Sequence, residues 1–256
     1  MDTAYKELIQ EAKKDYATRP LSLHTKAGKE EPCPKWYDLG IDGDYTEELN
    51  LWNYWQGVGV DRPKLMLVGQ DWGHVDTEDT SFENISIIAQ DPATDTQYLS
   101  GISAFQTDEK LIEIFDEHLD RDLRNERYSD LYFTNLCLGY RQDKSSGYWR
   151  QSWMTEDAGK YFKRLVDIKR PEVIVCLGRG TAETAFRALT GKKLKMGKGF
   201  YDFIESDENG LSLPECGGAR FYAMAHPGGM GAANRKSKRG GGKSVIDDWA
   251  FLAEFF

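Results

Sequence analysis

Two short segments of this 256-residue chain each end an apolar run with one chemically useful side chain. The run 65–69 leads to Asp71, and the run 221–225 leads to His226. An apolar run that ends in a Gly-rich turn is typical of a buried strand, and open α/β folds bind ligands where such strands end. A carboxylate can orient water or stabilise a cation, and an imidazole can donate a proton or a hydrogen bond. We therefore expect Asp71 and His226 to face one cleft.

A basic segment follows the second turn closely. Residues 234–243 include five cations and no anion, although the net charge of the chain is −9. Cations drive binding to a phosphate backbone, so this segment favours a phosphate ligand despite the acidic total. A solvated surface loop remains the simpler interpretation of a charge run. The cations expected to contact phosphates are Arg235, Lys236, Lys238 and Arg239.

The composition argues against several classes of protein. Hydrophobic residues make up 40% of the chain, and no stretch approaches the roughly 20 apolar residues of a membrane span. The four cysteines form no C-x-x-C pair, and the histidines show no metal-ligand spacing. We expect a cytoplasmic monomer without disulfides, metal or cofactor.

The apolar periodicity predicts four strands and five helices that would position these residues. The strands are expected at 64–69, 131–137, 173–177 and 220–225, and the helices at 3–17, 107–119, 155–170, 181–190 and 244–255. Thr107, Thr155 and Thr181 are the expected N-caps, and Gly191 the expected C-cap. Residues 18–60 and 74–104 show no clear period.

Continuous apolar strands that alternate with helices are typical of a parallel sheet covered on both faces. We therefore predict one α/β domain over 1–256. Its architecture would be a three-layer α/β/α sandwich around a central, mostly parallel four-stranded sheet. Residues 1–60 would be an N-terminal extension packed on the 61–256 core.

The motifs Gly69-Gln70-Asp71-Trp72-Gly73 and His226-Pro227-Gly228-Gly229-Met230 together resemble the paired active-site motifs of the uracil-DNA glycosylase superfamily. The resemblance covers roughly 64–256. It implies the fold of that superfamily and a monofunctional DNA glycosylase, which hydrolyses the N-glycosidic bond of a flipped base and leaves an abasic site. Asp71 would orient water and stabilise the sugar cation, and His226 would stabilise the departing base.

The same resemblance gives roles to residues outside the catalytic pair. Gln70, Gly73, Asn135 and Phe105 would form the base pocket, with Phe105 stacking on the base and Asn135 presenting its amide to the pyrimidine edge. Met230 would fill the gap that the base leaves in the duplex. Asn135 could equally satisfy a strand-end carbonyl, and Phe105 could equally be a core aromatic.

Two departures from the superfamily pattern bear on the substrate, together with the long 74–104 segment that follows the first motif. In the uracil-specific members a tyrosine stands at the place of Gly73 and packs against C5 of uracil, so glycine removes that wall. Gly228 replaces the usual serine after His-Pro, which predicts a more flexible loop. The closely spaced cysteine pair that holds an iron–sulfur cluster in some members is missing. We expect no cluster, and a C5-modified pyrimidine such as a hypermodified phage base is favoured over uracil.

The same residues are compatible with two other functions. A catalytically inactive DNA-binding sensor or inhibitor on the same fold would bind DNA without releasing a base. A hydrolase of free nucleosides or nucleotides would show little dependence on salt, whereas duplex binding weakens steeply with salt. The sequence leaves the biological role open between DNA repair and antiviral defence.

Overall fold

Four parallel strands and one antiparallel strand form the central sheet of the computed structural model. The structure describes residues 3–36, 57, 60–71, 106–123, 126, 128–139 and 149–256. The strands of this sheet are β3 Leu65–Gly69, β4 Leu131–Asn135, β5 Val173–Leu177, β6 Leu211–Leu213 and β7 Ala219–Met224. Across the sheet they lie in the order β4-β3-β5-β7-β6. A separate antiparallel hairpin pairs β1 Ser22–His24 with β2 Glu30–Pro32.

The four parallel strands are the ones that the apolar runs predict. All residues of β3, β4 and β5 are buried, because helices cover both faces of these strands. Gly69 is paired with Asn135, and Leu177 with Met224. The carboxyl ends of β3, β4, β5 and β7 therefore meet at one edge of the sheet.

Six α-helical elements are described, and two of them, α4 and α6, begin within five residues of the end of a strand. Their bounds are α1 Thr3–Thr18, α2 Gln106–Leu119, α3 Gln151–Asp157 continued by a π-helical segment Ala158–Phe162 and by Lys163–Lys169, α4 Arg179–Thr190, α5 Phe200–Ile204 and α6 Gly229–Lys236. Short 3-10 helices cover Pro214–Cys216, Lys238–Gly240 and Asp247–Glu254. None of the described helices is long and apolar enough to cross a membrane.

Two hydrophobic cores lie on opposite faces of the sheet. One joins alternate strand residues such as Met66 and Ile174 to α1, α3 and α4. The other joins their neighbours, such as Leu67 and Val175, to α2 and the C-terminal 3-10 helix. Alternation along each strand thus produces the three layers, with α1 in the same layer as α3 and α4.

The described residues form a five-stranded sheet where four strands were expected. β6 pairs antiparallel with β7, and its three residues, Leu211–Leu213, are too few to show a period. The hairpin β1–β2 lies in a segment that was expected to be irregular. The C-terminal helix expected at 244–255 is a 3-10 helix over Asp247–Glu254.

The three threonines expected as N-caps all lie inside their helices. α2 already begins at Gln106, so Thr107 is its second residue. The Thr155 hydroxyl donates to the Gln151 carbonyl one turn earlier, at 2.9 Å. Thr181 is the third residue of α4, whose N-cap is Gly178. Local sequence favours threonine as an N-cap residue, but the packing of the helix against the rest of the protein determines where the helix begins.

A buried polar network joins α1 to the segment that follows β4. The Tyr16 hydroxyl donates to the buried carboxylate of Asp157, and the Arg19 guanidinium pairs with the same carboxylate at 2.5 Å. Asp157 also accepts the Leu138 backbone N–H at 2.8 Å. A Cβ on Gly139 would lie 2.3 Å from the Tyr16 ring. The N-terminal helix therefore packs directly against the chain that leaves the carboxyl edge of β4.

Candidate active site

The turn after β3 is fixed to the neighbouring strand. The Leu136 backbone N–H donates to the Gly69 carbonyl at 3.0 Å, and the Cys137 N–H donates to the Gln70 carbonyl at 2.9 Å. Asp71 follows immediately and is partly exposed. Because two hydrogen bonds to the chain after β4 hold the turn, the Asp71 backbone is positioned at the carboxyl edge of the sheet.

His226 stands two residues after β7, at the same edge. The Gly228 backbone N–H donates to His226 Nδ1 at 3.0 Å. A backbone N–H can only donate, so Nδ1 must be the unprotonated nitrogen and Nε2 must carry the hydrogen of the neutral ring. Burial lowers the pKa of His226 below its usual 6.5, and the negative charge of Asp71 opposes part of that shift. The imidazole is therefore held neutral, with an Nε2–H available to donate.

The structure brings Asp71 and His226 together from two strands that are not neighbours. β3 and β7 lie on either side of β5, and the charge of Asp71 acts on both His226 and the Cys137 thiol. The pair combines a partly exposed carboxylate with a neutral hydrogen-bond donor. Burial raises the pKa of the Cys137 thiol, so this neighbouring sulfur remains protonated and is a poor nucleophile.

Helix α6 packs directly on His226. A Cβ on Gly231 would lie 2.0 Å from the His226 carbonyl oxygen, and a Cβ on Gly228 would lie 2.5 Å from the Thr107 hydroxyl. Gly231 therefore permits α6 to approach the His226 backbone, and Gly228 leaves room for the side chains of Thr107 and His226. The chain is helical from Gly229 onward, where the sequence predicted a loop. Met230 lies in the first turn of α6 and is 84% exposed.

Asn135, the last residue of β4, has a buried side chain whose amide atoms form no hydrogen bond within the described part of the chain. It is 1% exposed, and neither its amide nitrogen nor its amide oxygen has a hydrogen-bond partner within the described part of the chain. Asn135 also borders a cavity of about 10 Å³, which is near the smallest volume that holds one water molecule. An unsatisfied buried amide costs free energy, so a ligand or a water that satisfies it would be bound favourably.

The structure corrects the expected phosphate contact of Arg235. Its side chain is fully buried at the C-terminal end of α6. It donates to Asp248 at 2.5 and 2.7 Å, to Glu205 Oε1 at 2.7 Å and to the Gly240 carbonyl. Since two carboxylates already pair with it, Arg235 joins α6 to the C-terminal segment and has no surface for a phosphate. The neighbours Lys236 and Arg239 are exposed.

Three expected site residues have no described side-chain position. Gly73 and Phe105 lie outside the described residues, as does the 74–104 segment, and nothing is described of the Lys238 side chain. Gln70 is described and is partly exposed beside Asp71.

Gly178 and Thr107 are neighbours of the site that the sequence analysis did not assign to it. Gly178 follows β5 with φ +89°, a conformation that favours glycine, and a Cβ there would lie 3.9 Å from the His226 Cβ. Among the described residues, no side chain caps the N-terminus of α4 or of α6. For Gly178, the glycine-rich sequence Gly178-Arg179-Gly180 could have indicated a place near the site. For Thr107 the sequence held no such indication, because Thr107 and Gly228 are 121 positions apart in the chain.

Comparison with family models and with curated proteins supplies no relative on which to base an assignment. No model of a known protein family matches the chain, and no curated protein matches it. Among the described residues, no group of three or more His, Cys, Asp or Glu side chains could hold a metal ion.

Proposed function

We propose that this protein is a DNA glycosylase that hydrolyses the N-glycosidic bond of a flipped pyrimidine nucleotide and leaves an abasic site. One observation carries the proposal. At the carboxyl edge of one sheet, a carboxylate on Asp71 lies close enough to act electrostatically on His226, a neutral imidazole whose Nδ1 is occupied by the Gly228 N–H. The sequence resemblance of the two turns to the uracil-DNA glycosylase superfamily supports the same reaction.

This pair suits the charges that develop when an N-glycosidic bond breaks. The sugar gains oxocarbenium character, and the departing base gains negative charge. Asp71 stabilises the sugar cation and orients the attacking water. The Nε2–H of His226 donates to a carbonyl oxygen of the base. A neutral donor suits this role, because it need not lose a proton to the base to stabilise its charge.

The base pocket is proposed for a pyrimidine larger than uracil at C5. Gly73 has no side chain to block a C5 substituent. The unsatisfied amide of Asn135 is suited to the pyrimidine edge, since it offers one donor group and one acceptor. The substrate class that fits is a C5-modified pyrimidine, such as a hypermodified base of phage DNA.

Exposed residues near the site are proposed to hold the rest of the DNA. Met230 projects into solvent from the first turn of α6, a helix that packs on His226. An apolar side chain in that place can enter the stack when the base leaves it. Lys236 and Arg239 lie further along the same segment and would bind phosphates.

Base release from a defined DNA tests the proposal. Purified protein is incubated with duplexes that contain uracil or a C5-modified pyrimidine, and the released base is identified by mass spectrometry. We expect release by the wild type, none by Asp71→Asn, and DNA binding by both. Full activity of Asp71→Asn would refute the assignment of the carboxylate. Binding without release of any base would instead indicate an inactive binder.

A further inference from the structure

A pocket of about 620 Å³ lies at the amino edge of the sheet, where β5 and β7 begin. It is bounded by the C-terminal end of α3, the start of β5, the turn before β7 and the start of β7, and its volume is within the range of small-molecule sites. The candidate active site lies at the opposite edge. The length of β5 and β7 separates the two by roughly 15 Å, since each strand residue advances about 3.3 Å.

Arg170 lines this pocket and has a backbone conformation that favours glycine. It follows α3 directly, with φ +49° and ψ +55°, a left-handed conformation in which a Cβ crowds the following carbonyl oxygen. Helices commonly place glycine at this position. Among the described residues, only Arg170 and Asp120 combine a positive φ with a side chain. Strained residues of this kind cluster at functional sites, so the exposed Arg170 side chain is a candidate for a binding role.

Two guanidinium groups in the pocket have no carboxylate partner. Arg170 Nε donates to the Asp167 backbone carbonyl at 3.3 Å, and the Arg220 side chain hydrogen-bonds with that of Tyr222, which is neutral. Neither arginine forms an ion pair with a residue that the structure describes. The Arg220 backbone N–H donates to the Glu172 carbonyl at 2.8 Å, so the two arginines lie on adjoining segments.

Three carboxylates also line the pocket, and two of them already have a cation. Asp167 pairs with Lys163 at 3.0 Å, and Glu215 pairs with Lys192 at 3.3 Å. Glu172 has no such partner among the described residues and can accept a hydrogen bond from a hydroxyl or amino group. The charges without a partner are therefore two guanidiniums and one carboxylate.

We propose that this pocket binds a small organic oxyanion, whose phosphate or carboxylate lies between Arg170 and Arg220 and whose hydroxyl or amino groups donate to Glu172. The planar fork of a guanidinium binds either oxyanion through two parallel hydrogen bonds. Val166 and Phe255 supply an apolar wall for the body of the ligand. The ligand is either a phosphorylated molecule such as a nucleoside monophosphate or a polycarboxylate. The proposal does not rest on the proposed function, because the pocket lies at the other edge of the sheet.

Cys216 reports whether the pocket is occupied. It lines the pocket and is partly exposed, whereas Cys33, Cys137 and Cys176 are buried. The wild-type protein is treated with iodoacetamide in the presence of thymidine monophosphate, citrate, inorganic phosphate or neutral thymidine, and alkylation is followed by mass spectrometry. We expect thymidine monophosphate or citrate to slow alkylation of Cys216 several-fold, and thymidine to leave it unchanged.

The two anions distinguish the two sources of the ligand. Protection by thymidine monophosphate alone identifies a phosphorylated ligand, and protection by citrate alone identifies a polycarboxylate. Protection by neither would overturn the proposal. Equal protection by inorganic phosphate would overturn it as well, because the body of the ligand would then contribute nothing.

Arg170→Gly separates binding from folding, because glycine suits the backbone conformation at this position. We expect a melting temperature equal to or above that of the wild type, while calorimetry shows binding of the protecting anion about tenfold or more weaker. Arg220→Ala should weaken binding to a similar extent. Arg187→Ala, exposed on α4 and outside the pocket, is the matched control and should change neither quantity. Undiminished binding by Arg170→Gly would overturn the proposal.

Discussion

His226 is the residue whose protonation state decides whether the site works as proposed. Its Nδ1 accepts from Gly228, and burial lowers its pKa, so the ring stays neutral where an exposed histidine would begin to charge. Sequence alone indicated the residue type and its place at a strand end. It could not indicate the tautomer, because that depends on the backbone geometry two residues further along.

Base release should therefore remain level as the pH is lowered through 6.5, the usual histidine value, and fall only at lower pH. Protonation of His226 should also affect stability. As the pH falls, the histidine of the unfolded chain takes up a proton at a higher pH than that of the folded protein, so the free energy of unfolding decreases below pH 6.5. His226→Gln should lose that part of the pH dependence. The measurements are a pH–rate profile and denaturant melts, and half-loss of activity at or above pH 6.5 would contradict the neutral donor.

Asn135 provides a second prediction at this scale. Replacement by leucine removes an amide that has no described partner, so Asn135→Leu should raise stability by about 1 kcal/mol while base release falls by more than tenfold. Thermal melts and single-turnover assays measure the two effects. A loss of stability with unchanged activity would show that Asn135 serves the fold, through a buried water.

At the scale of the elements, helix α6 matters because it packs on the His226 backbone. Gly231→Ala places a Cβ 2.0 Å from the His226 carbonyl oxygen, so the helix must shift. We expect a loss of about 1–3 kcal/mol in stability and a larger loss of activity. Gly159→Ala is the matched control, since a Cβ there meets no atom of the described residues within 4 Å. Equal activity of the two variants would refute the importance of this contact.

Arg235 holds the other end of the same helix. Arg235→Ala leaves the buried Asp248 carboxylate without this partner, whereas the more exposed Glu205 still pairs with Lys243, so the variant should cost about 3–5 kcal/mol. Lys236→Ala, one residue along and exposed, should change stability by less than about 0.5 kcal/mol and weaken DNA binding. Chemical denaturation and anisotropy titrations measure both. If Arg235→Ala is as stable as the wild type but binds DNA more weakly, Arg235 contacts DNA phosphates after all.

The contrast between strands and caps explains how much of the fold the sequence predicts. The apolar runs of β3, β4, β5 and β7 are local and unambiguous, and so is the buried stripe of α1. The N-terminal residues of three helices, Gln106, Gln151 and Arg179, could not be predicted locally, because contacts between distant segments determine where those helices begin. Arg235 shows the same limit within a motif. Its neighbours made it look like a surface cation, and only the fold places Asp248 beside it.

For the whole molecule, the distribution of charge decides whether an acidic protein can bind DNA. The net charge is −9, so binding must depend on local cations. Lys236→Ala and Arg239→Ala should each reduce the slope of log affinity against log salt by about 1. Lys193→Ala, exposed just after α4 at the opposite edge of the sheet, should leave the slope unchanged. Salt-independent affinity would favour a nucleoside or nucleotide substrate.

The N-terminal extension is the part of the molecule that sequence reasoning described least. Its amphipathic helix was predictable, but its union with the core through Tyr16, Arg19 and Asp157 was not. Asp157 is more than 130 positions away from Tyr16 and Arg19 in the sequence. Each of the three is also a residue type that is common on solvated surfaces, so the sequence did not predict their contact. The network makes α1 part of the layer that supports the β4 edge.

The most direct test of the glycosylase assignment is base release, analysed by mass spectrometry, from two DNAs side by side. One contains uracil, and the other is phage DNA with hypermodified pyrimidines. The proposed function predicts that the wild type releases the modified base as a free base and leaves an intact strand with an abasic site, whereas Asp71→Asn releases nothing. Absence of any released base from both DNAs, with a folded wild type that binds them, would contradict it.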